Sequence, residues 1–371
     1  MPLKYRKVKA YLEDVSMQPE SSARMPTIRE LMGQFNVSLA TVNRALNELE
    51  NDGLIVRRQG ARIVPAGRNH TVKRLSGKTM QRQIIFAYSD YPDENIWNMV
   101  HLIETYSRRL DCEVVACKLH PDTTTRDLID FIRAQSNCEG MILHLGSVRM
   151  DAERLQALEE LPMRIALVDS MYFYPNRLPG NIYVLSPDAA GGARLIAELL
   201  LTRGHRKIGF IRNEPWDEYT ELHQKTLMTS LRQGGADFDT SHIFSTTIRP
   251  WENSVNAAVQ LTRDNLDAIR ELGLTALIYK SSIGAVAAFK VLQRAGLRIP
   301  DKISVIAEGD RSLYEYLDPG LTAVSADYSQ MGKTAVEIVL GMQTPENHNL
   351  FFPLNVIERE SVNLLTERAS K

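Results

Sequence analysis

From Gln83 onward, short apolar blocks alternate with longer amphipathic stretches, and this rhythm constrains the fold more than anything else in the chain. Ile84-Ile85-Phe86-Ala87, Val114-Val115-Ala116, Met141-Ile142-Leu143 and Ile165-Ala166-Leu167-Val168 read as buried strands. Helical patterns stand between them over 96–110 and 128–134. The alternation resumes with a helix over 189–203 and strands at 208–211, 276–279 and 303–306. Strands this short and apolar, separated by helices, build a mostly parallel, doubly wound sheet covered on both faces. The expected class is α/β, with a two-lobed domain over 83–371 and a cleft at the carboxyl ends of its strands.

The first 82 residues follow another pattern. They hold 15 Lys/Arg against 7 Asp/Glu, a balance of +8, while the remaining residues hold 29 against 38, a balance of −9; together these give the net charge of −1. A basic module on an acidic body points to a polyanionic partner for that module alone. Tyr5, Val8, Leu12 and Val15 recur at helical spacing. Thr27 and Glu30 have the spacing of a capping box, opening a second helix that carries Ile28, Leu31, Met32 and Phe35. Ser38 caps a third helix, which buries Val42, Ala45, Leu46 and Leu49 before Gly53.

The opposite face of the third helix shows short, hydrogen-bonding side chains suited to base edges. The candidate DNA contacts are Arg29, Ser38, Thr41, Asn43, Arg44 and Asn47. Two strands, 54–56 and 63–64, flank a tip with Arg57, Arg58, Gln59, Gly60 and Arg62, whose arginines suit the phosphate backbone. The expected domains are a winged helix over 1–65, a polar linker over 66–82 and the α/β domain over 83–371.

The stretch MPTIRELMGQFNVSLATVNRALNELENDGLIVRRQGARIV resembles the GntR winged helices. Three later stretches, AAGGARLIAELLLTRGHRKIGFI (189–211), AGLRIPDKISVIAEGD (295–310) and LDPGLTAVSADYSQMGKTAVEIVL (317–340), resemble the LacI/GalR effector domain, similar in fold to periplasmic sugar-binding proteins. Their fusion looks like the arabinose-repressor group. The resemblance implies a cytoplasmic homodimer that binds operator DNA, is controlled by a small sugar-like effector, and needs no cofactor. In the winged-helix family an arginine of the second helix and a wing-tip glycine touch DNA; Arg29 and Gly60 match them.

The effector family holds sugar hydroxyls with an arginine, an Asn–Asp pair and a further aspartate. The corresponding positions here are His223, Ser281-Ser282 and Gly309, and Trp251 falls where relatives place a stacking tryptophan. The other strand-end candidates for effector contacts are Tyr91, Trp97, His144, Asp169, Trp216, Lys280, Glu308 and Asp310. Loss of the usual set, with Lys280 and His223 nearby, leads to the expectation of an anionic or otherwise modified sugar. The alternative is a degenerate domain kept for dimerisation without a ligand.

Enzyme motifs are missing: no P-loop, G-x-S-x-G elbow, H-E-x-x-H or dinucleotide fingerprint occurs. Cys112, Cys117 and Cys138 show neither CxxC nor zinc-ligand spacing. No run of eighteen apolar residues and no secretory leader stands in the sequence, so a membrane partner is not expected.

Overall fold

The computed structural model describes residues 7–9, 11–12, 26–51, 55–56, 64–65, 82–90, 94–120, 122–135, 137–144, 152–169, 178–249 and 252–365. The chain divides into two compact units, Met1–Thr79 and Met80–Lys371.

In the first unit, helices α1 (Ile28–Phe35) and α2 (Leu39–Asn51) form the helix-turn-helix. Thr27 Oγ1 accepts from the Glu30 amide and the Glu30 carboxylate accepts from the Thr27 amide, so two orphan donors are satisfied at once. Asn36, at φ 48°, takes the left-handed conformation that stops α1. Ser38 Oγ then accepts from the Thr41 amide at the start of α2. Leu31 packs on Val42, Ala45, Leu46 and Leu49, with Val8 and Leu12 from the preceding helical stretch completing the core. Strands β1 (Ile55–Val56) and β2 (Val64–Pro65) pair antiparallel. Tyr5, Val15 and the tip residues between the strands lie outside the described residues.

The second unit holds two six-stranded sheets, hence two lobes. The first lobe contains β3 (Arg82–Ser89), β4 (Cys112–Leu119), β5 (Cys138–His144), β6 (Arg164–Val168) and β7 (Ile182–Pro187). Its helices are α3 (Glu94–Arg109), α4 (Thr125–Arg133) and α5 (Ala152–Glu159). After β7 the chain enters the second lobe, with α6 (Ala189–Thr202), β8 (Ile208–Arg212), α7 (Glu218–Gln233), β9 (Ile243–Ser245), α8 (Ser254–Asp264) and α9 (Leu266–Glu271). Strand β10 (Ala276–Tyr279), α10 (Ser282–Arg294), β11 (Ser304–Glu308) and β12 (Thr322–Ala326) follow. Helix α11 (Tyr328–Val339) and β13 (Asn349–Phe352) return to the first lobe, and β14 (Leu354–Ile357) goes back to the second.

The first sheet runs β4-β3-β5-β6-β7-β13, all parallel; the second runs β9-β8-β10-β11-β12-β14, parallel except for β14 on β12. Each sheet reverses its winding beside its first strand, between β3 and β5 and between β8 and β10. At such a switch point the following loops diverge and leave a crevice.

Arg82, placed in the linker on sequence grounds, is the first residue of β3. Its guanidinium donates to the Glu139 carboxylate at 2.7 Å and to the Leu340 carbonyl at 3.0 Å, which fixes it to the sheet. The sequence reading also passed over β7, although Ile182-Tyr183-Val184-Leu185 is an apolar block like the others.

Candidate functional site

The cleft of the second unit lies where strands of both lobes end. His144 is the last residue of β5, and Asp169 follows β6 directly. From the second lobe, Lys280 follows β10, Glu308 ends β11, and Asp217 caps α7 by accepting from the Thr220 amide at 2.7 Å. These residues line a single cavity of about 210 Å³, below the usual range for drug-sized ligands and suited to one small ring.

On the first-lobe side, His144 Nε2 stands 3.5 Å from Asp169 Oδ2. Asp169 sits at φ 51°, a left-handed conformation that short polar residues tolerate better than bulky ones. Both side chains are buried, yet His144 Nδ1 and Asp169 Oδ1 have no hydrogen-bond partner among the described residues. A buried polar atom left unpaired costs about 1–3 kcal/mol, so these atoms are poised to gain from an occupant that satisfies them.

The second-lobe side is a network of charges. Lys280 Nζ donates to Glu308 Oε2 at 2.5 Å and lies 4.5 Å from the centre of the Tyr219 ring. The Tyr219 hydroxyl donates to the same carboxylate oxygen at 3.4 Å. His223 Nε2 stands 2.5 Å from Glu308 Oε1, though without hydrogen-bond alignment. Burial pushes the Glu308 carboxyl up, but His223 and Lys280 outweigh it and hold the group at about 2. Burial raises the Asp217 carboxyl, against the lowering effect of its bonds to Thr220. Ser281 caps α10, and its own amide donates to the Asn213 side-chain oxygen at 3.3 Å, so the loops after β8 and β10 are tied together.

Of the residues singled out from sequence, the structure brings His144, Asp169, Lys280, Ser281, Ser282, Glu308 and Gly309 to this cavity. Four others do not line it. His223 is fully buried and faces Glu308, while Asp310 is engaged by the Arg359 guanidinium at 2.7 and 3.2 Å. Trp97 is 51% exposed beneath Lys118, and Trp216 is 49% exposed beneath Arg212. Tyr91 and Trp251 lie outside the described residues.

The anion expectation needs correction at its source. Lys280 and His223 both face Glu308, so neither presents an uncompensated positive charge to the cavity. The sequence reading missed Asp217 and Tyr219, although an aspartate just before an amphipathic stretch is an N-cap signal.

In the helix-turn-helix, Ser38 and Thr41 make the turn described above, and Asn43 is half-buried on α2. Arg29, Arg44 and Asn47 occupy helical positions, but their side chains lie outside the description. Arg57, Arg58, Gln59, Gly60 and Arg62 also fall outside it.

Comparison with known proteins joins the two units. Residues 4–64 match the family of bacterial regulatory proteins called the gntR family, and residues 197–362 match the periplasmic binding protein-like domain. The chain is a DNA-binding transcription regulator built from these two domains. The HTH-type transcriptional regulator GanR of Bacillus subtilis is 25% identical over 352 residues, spanning 91% of this chain and all of the relative. The arabinose metabolism transcriptional repressor of Geobacillus stearothermophilus is 23% identical over 88% of this chain and 87% of its own length. The solved complex of the transcriptional regulator CelR with cellobiose shares the fold, with a TM-score of 0.62 at 16% identity, over 97% of this chain and all of that one. Among the described residues, no helix of the regulator is long and apolar enough to cross a membrane, and no cluster could hold a metal ion.

Proposed function

We propose that this regulator is a homodimeric, cytoplasmic repressor whose operator affinity is set by a small sugar-like effector held between the lobes. The carrying observation is the cavity at the strand ends, where buried polar atoms of Asp169 and His144 await partners. Hydroxyl groups of a ring molecule donate and accept, which suits an acceptor at Asp169 Oδ1 and a ring nitrogen at His144 Nδ1. Two relatives support the class: one is named for arabinose metabolism, and another was solved with cellobiose. The domain acts here by binding rather than by catalysis, as its relatives do by name.

On this reading, Asp169, His144, Lys280, Ser281 and Glu308 hold the effector, with Asp217 and Tyr219 added by their position on the cavity. The effector couples to DNA only through different affinities for two arrangements of the lobes. DNA is read by α2, with Asn43, Arg44 and Asn47 toward base edges, Arg29 on the backbone, and the arginine tip on phosphates.

The test combines selection of duplexes from a random library with a thermal-shift screen of the full-length protein against sugars and nucleosides. A compound that stabilises the C-terminal unit and changes affinity for the selected duplex is the expected result. Intact DNA binding with no stabilising compound would instead favour a domain kept for dimerisation.

A further inference from the structure

Trp97 and Trp216 occupy equivalent places in the two lobes. Trp97 lies in the first turn of α3, the helix that follows β3, and Trp216 stands just before α7, the helix that follows β8. The sheets reverse their winding beside β3 and β8, so both residues belong to the connections that open the crevice. Each also adjoins the cavity in sequence. Ile96 lines it next to Trp97, and Pro215 and Asp217 line it on either side of Trp216. The indoles themselves are turned out of that lining and are half exposed.

Each indole is steadied by a cation over its ring. Lys118 Nζ, 5.5 Å from the Trp97 centroid, is paired with Asp90 at 3.2 Å. The Arg212 guanidinium, 4.4 Å from the Trp216 centroid, donates to the Gln224 side chain at 3.2 Å. Lys118 belongs to β4, the outer strand of its sheet, and Arg212 ends β8, beside the outer strand β9. The chain crosses between the lobes at the other end of both sheets, where Pro187, Ala326 and Leu354 line the cavity. The tryptophans therefore mark the mouth of the cavity, away from its hinge.

The cavity itself is suited to one small ring, so any larger ligand must continue past this mouth. A pyranose has an apolar C–H face, which suits an indole, and a rim of hydroxyls, which suit the Lys118–Asp90 and Arg212–Gln224 pairs. We propose that the effector is a disaccharide, with one ring in the cavity and the second against Trp97 and Trp216. This deepens the sugar-like reading above and rests on it. Because the two indoles belong to different lobes, the outer ring favours one arrangement of the lobes over another, which is the differential contact that operator control requires.

The experiment uses full-length protein with cellobiose, maltose, lactose, melibiose and xylobiose, each set against its own monosaccharides, and with adenosine and guanosine. Thermal shift and calorimetric titration should find one disaccharide bound about tenfold or more tighter than its monosaccharides. Trp97→Ala and Trp216→Ala should each shrink that gap several-fold, whereas Trp97→Phe and Trp216→Phe, which keep an aromatic platform, should retain most of it. The unfolding midpoint of each variant without sugar should match the parent, since both side chains are half exposed.

A monosaccharide that binds as tightly as every disaccharide overturns the two-ring assignment and leaves the sugar-like reading standing. A disaccharide preference that survives both alanine substitutions also overturns it. A nucleoside that binds more tightly than any sugar overturns both readings, and silence from every compound overturns the two-ring assignment and removes support from the broader one.

Discussion

Glu308 ties the second lobe's charges together, and its environment predicts how the protein answers acid. Burial opposes its charge, but Lys280 and His223 reverse the balance and hold the carboxyl at about 2, below its ordinary 4.5. A depressed carboxylate contributes stability that is complete above its unfolded value and is lost as pH falls through the folded one. The contribution should therefore drain away between about pH 4.5 and 2, seen as a lower unfolding midpoint in acid. Glu308→Gln should flatten that part of the profile. At neutral pH the same substitution strands Lys280 in the interior, at a cost on the order of 3–5 kcal/mol in denaturant unfolding. A variant as stable as the parent would show that Lys280 finds water or another partner.

At the scale of elements, two small features decide how parts meet. A Cβ on Gly140 of β5 would stand 2.6 Å from the Val339 carbonyl oxygen and 2.7 Å from the Val339 Cβ, at the end of α11. The helix can approach the strand only because that carbon is missing. Gly140→Ala should force them apart and cost about 1–3 kcal/mol, measured by thermal unfolding of the C-terminal unit. At the start of α1, Thr27→Ala removes the acceptor for the Glu30 amide and should cost about 1 kcal/mol. Its effect should be confined to the unfolding of the N-terminal unit.

The first of these contacts was invisible in the sequence, since Gly140 and Val339 stand far apart in the chain. The second was legible, because Thr27 and Glu30 act across three residues. The same division holds in the cleft. His144, Asp169, Lys280 and Glu308 were found because a polar residue ending an apolar strand stands out locally. That His223 faces Glu308 rather than a ligand depends on how α7 lies over β11, a tertiary fact no local pattern carries. Trp97 and Trp216 were singled out as aromatic platforms, but exposure and cation contacts put them outside the cavity lining.

For the whole molecule, operator affinity should fall steeply with salt, because the basic module neutralises phosphates. Arg58→Ala and Arg62→Ala should each flatten that dependence by about one unit of slope, whatever the DNA sequence. An unchanged slope would remove the tip from the interface. Sedimentation of the full protein at micromolar concentration should give a dimer, and a monomer would argue against paired half-sites.

The chain crosses between the lobes three times: at Pro187-Asp188, at Ala326-Asp327 and at Pro353. Neither lobe is therefore an uninterrupted stretch of polypeptide, since α11 and β13 complete the first only after most of the second has been made. On a ribosome, the first lobe must wait with an open edge along β7 until residues 349–352 emerge to cover it. A gene truncated between the second lobe's strands and that point encodes two incomplete sheets, not one finished half. Recombination between relatives faces the same constraint. A lobe cannot be exchanged as a cassette with a single cut, because its strands come from separate stretches of the chain.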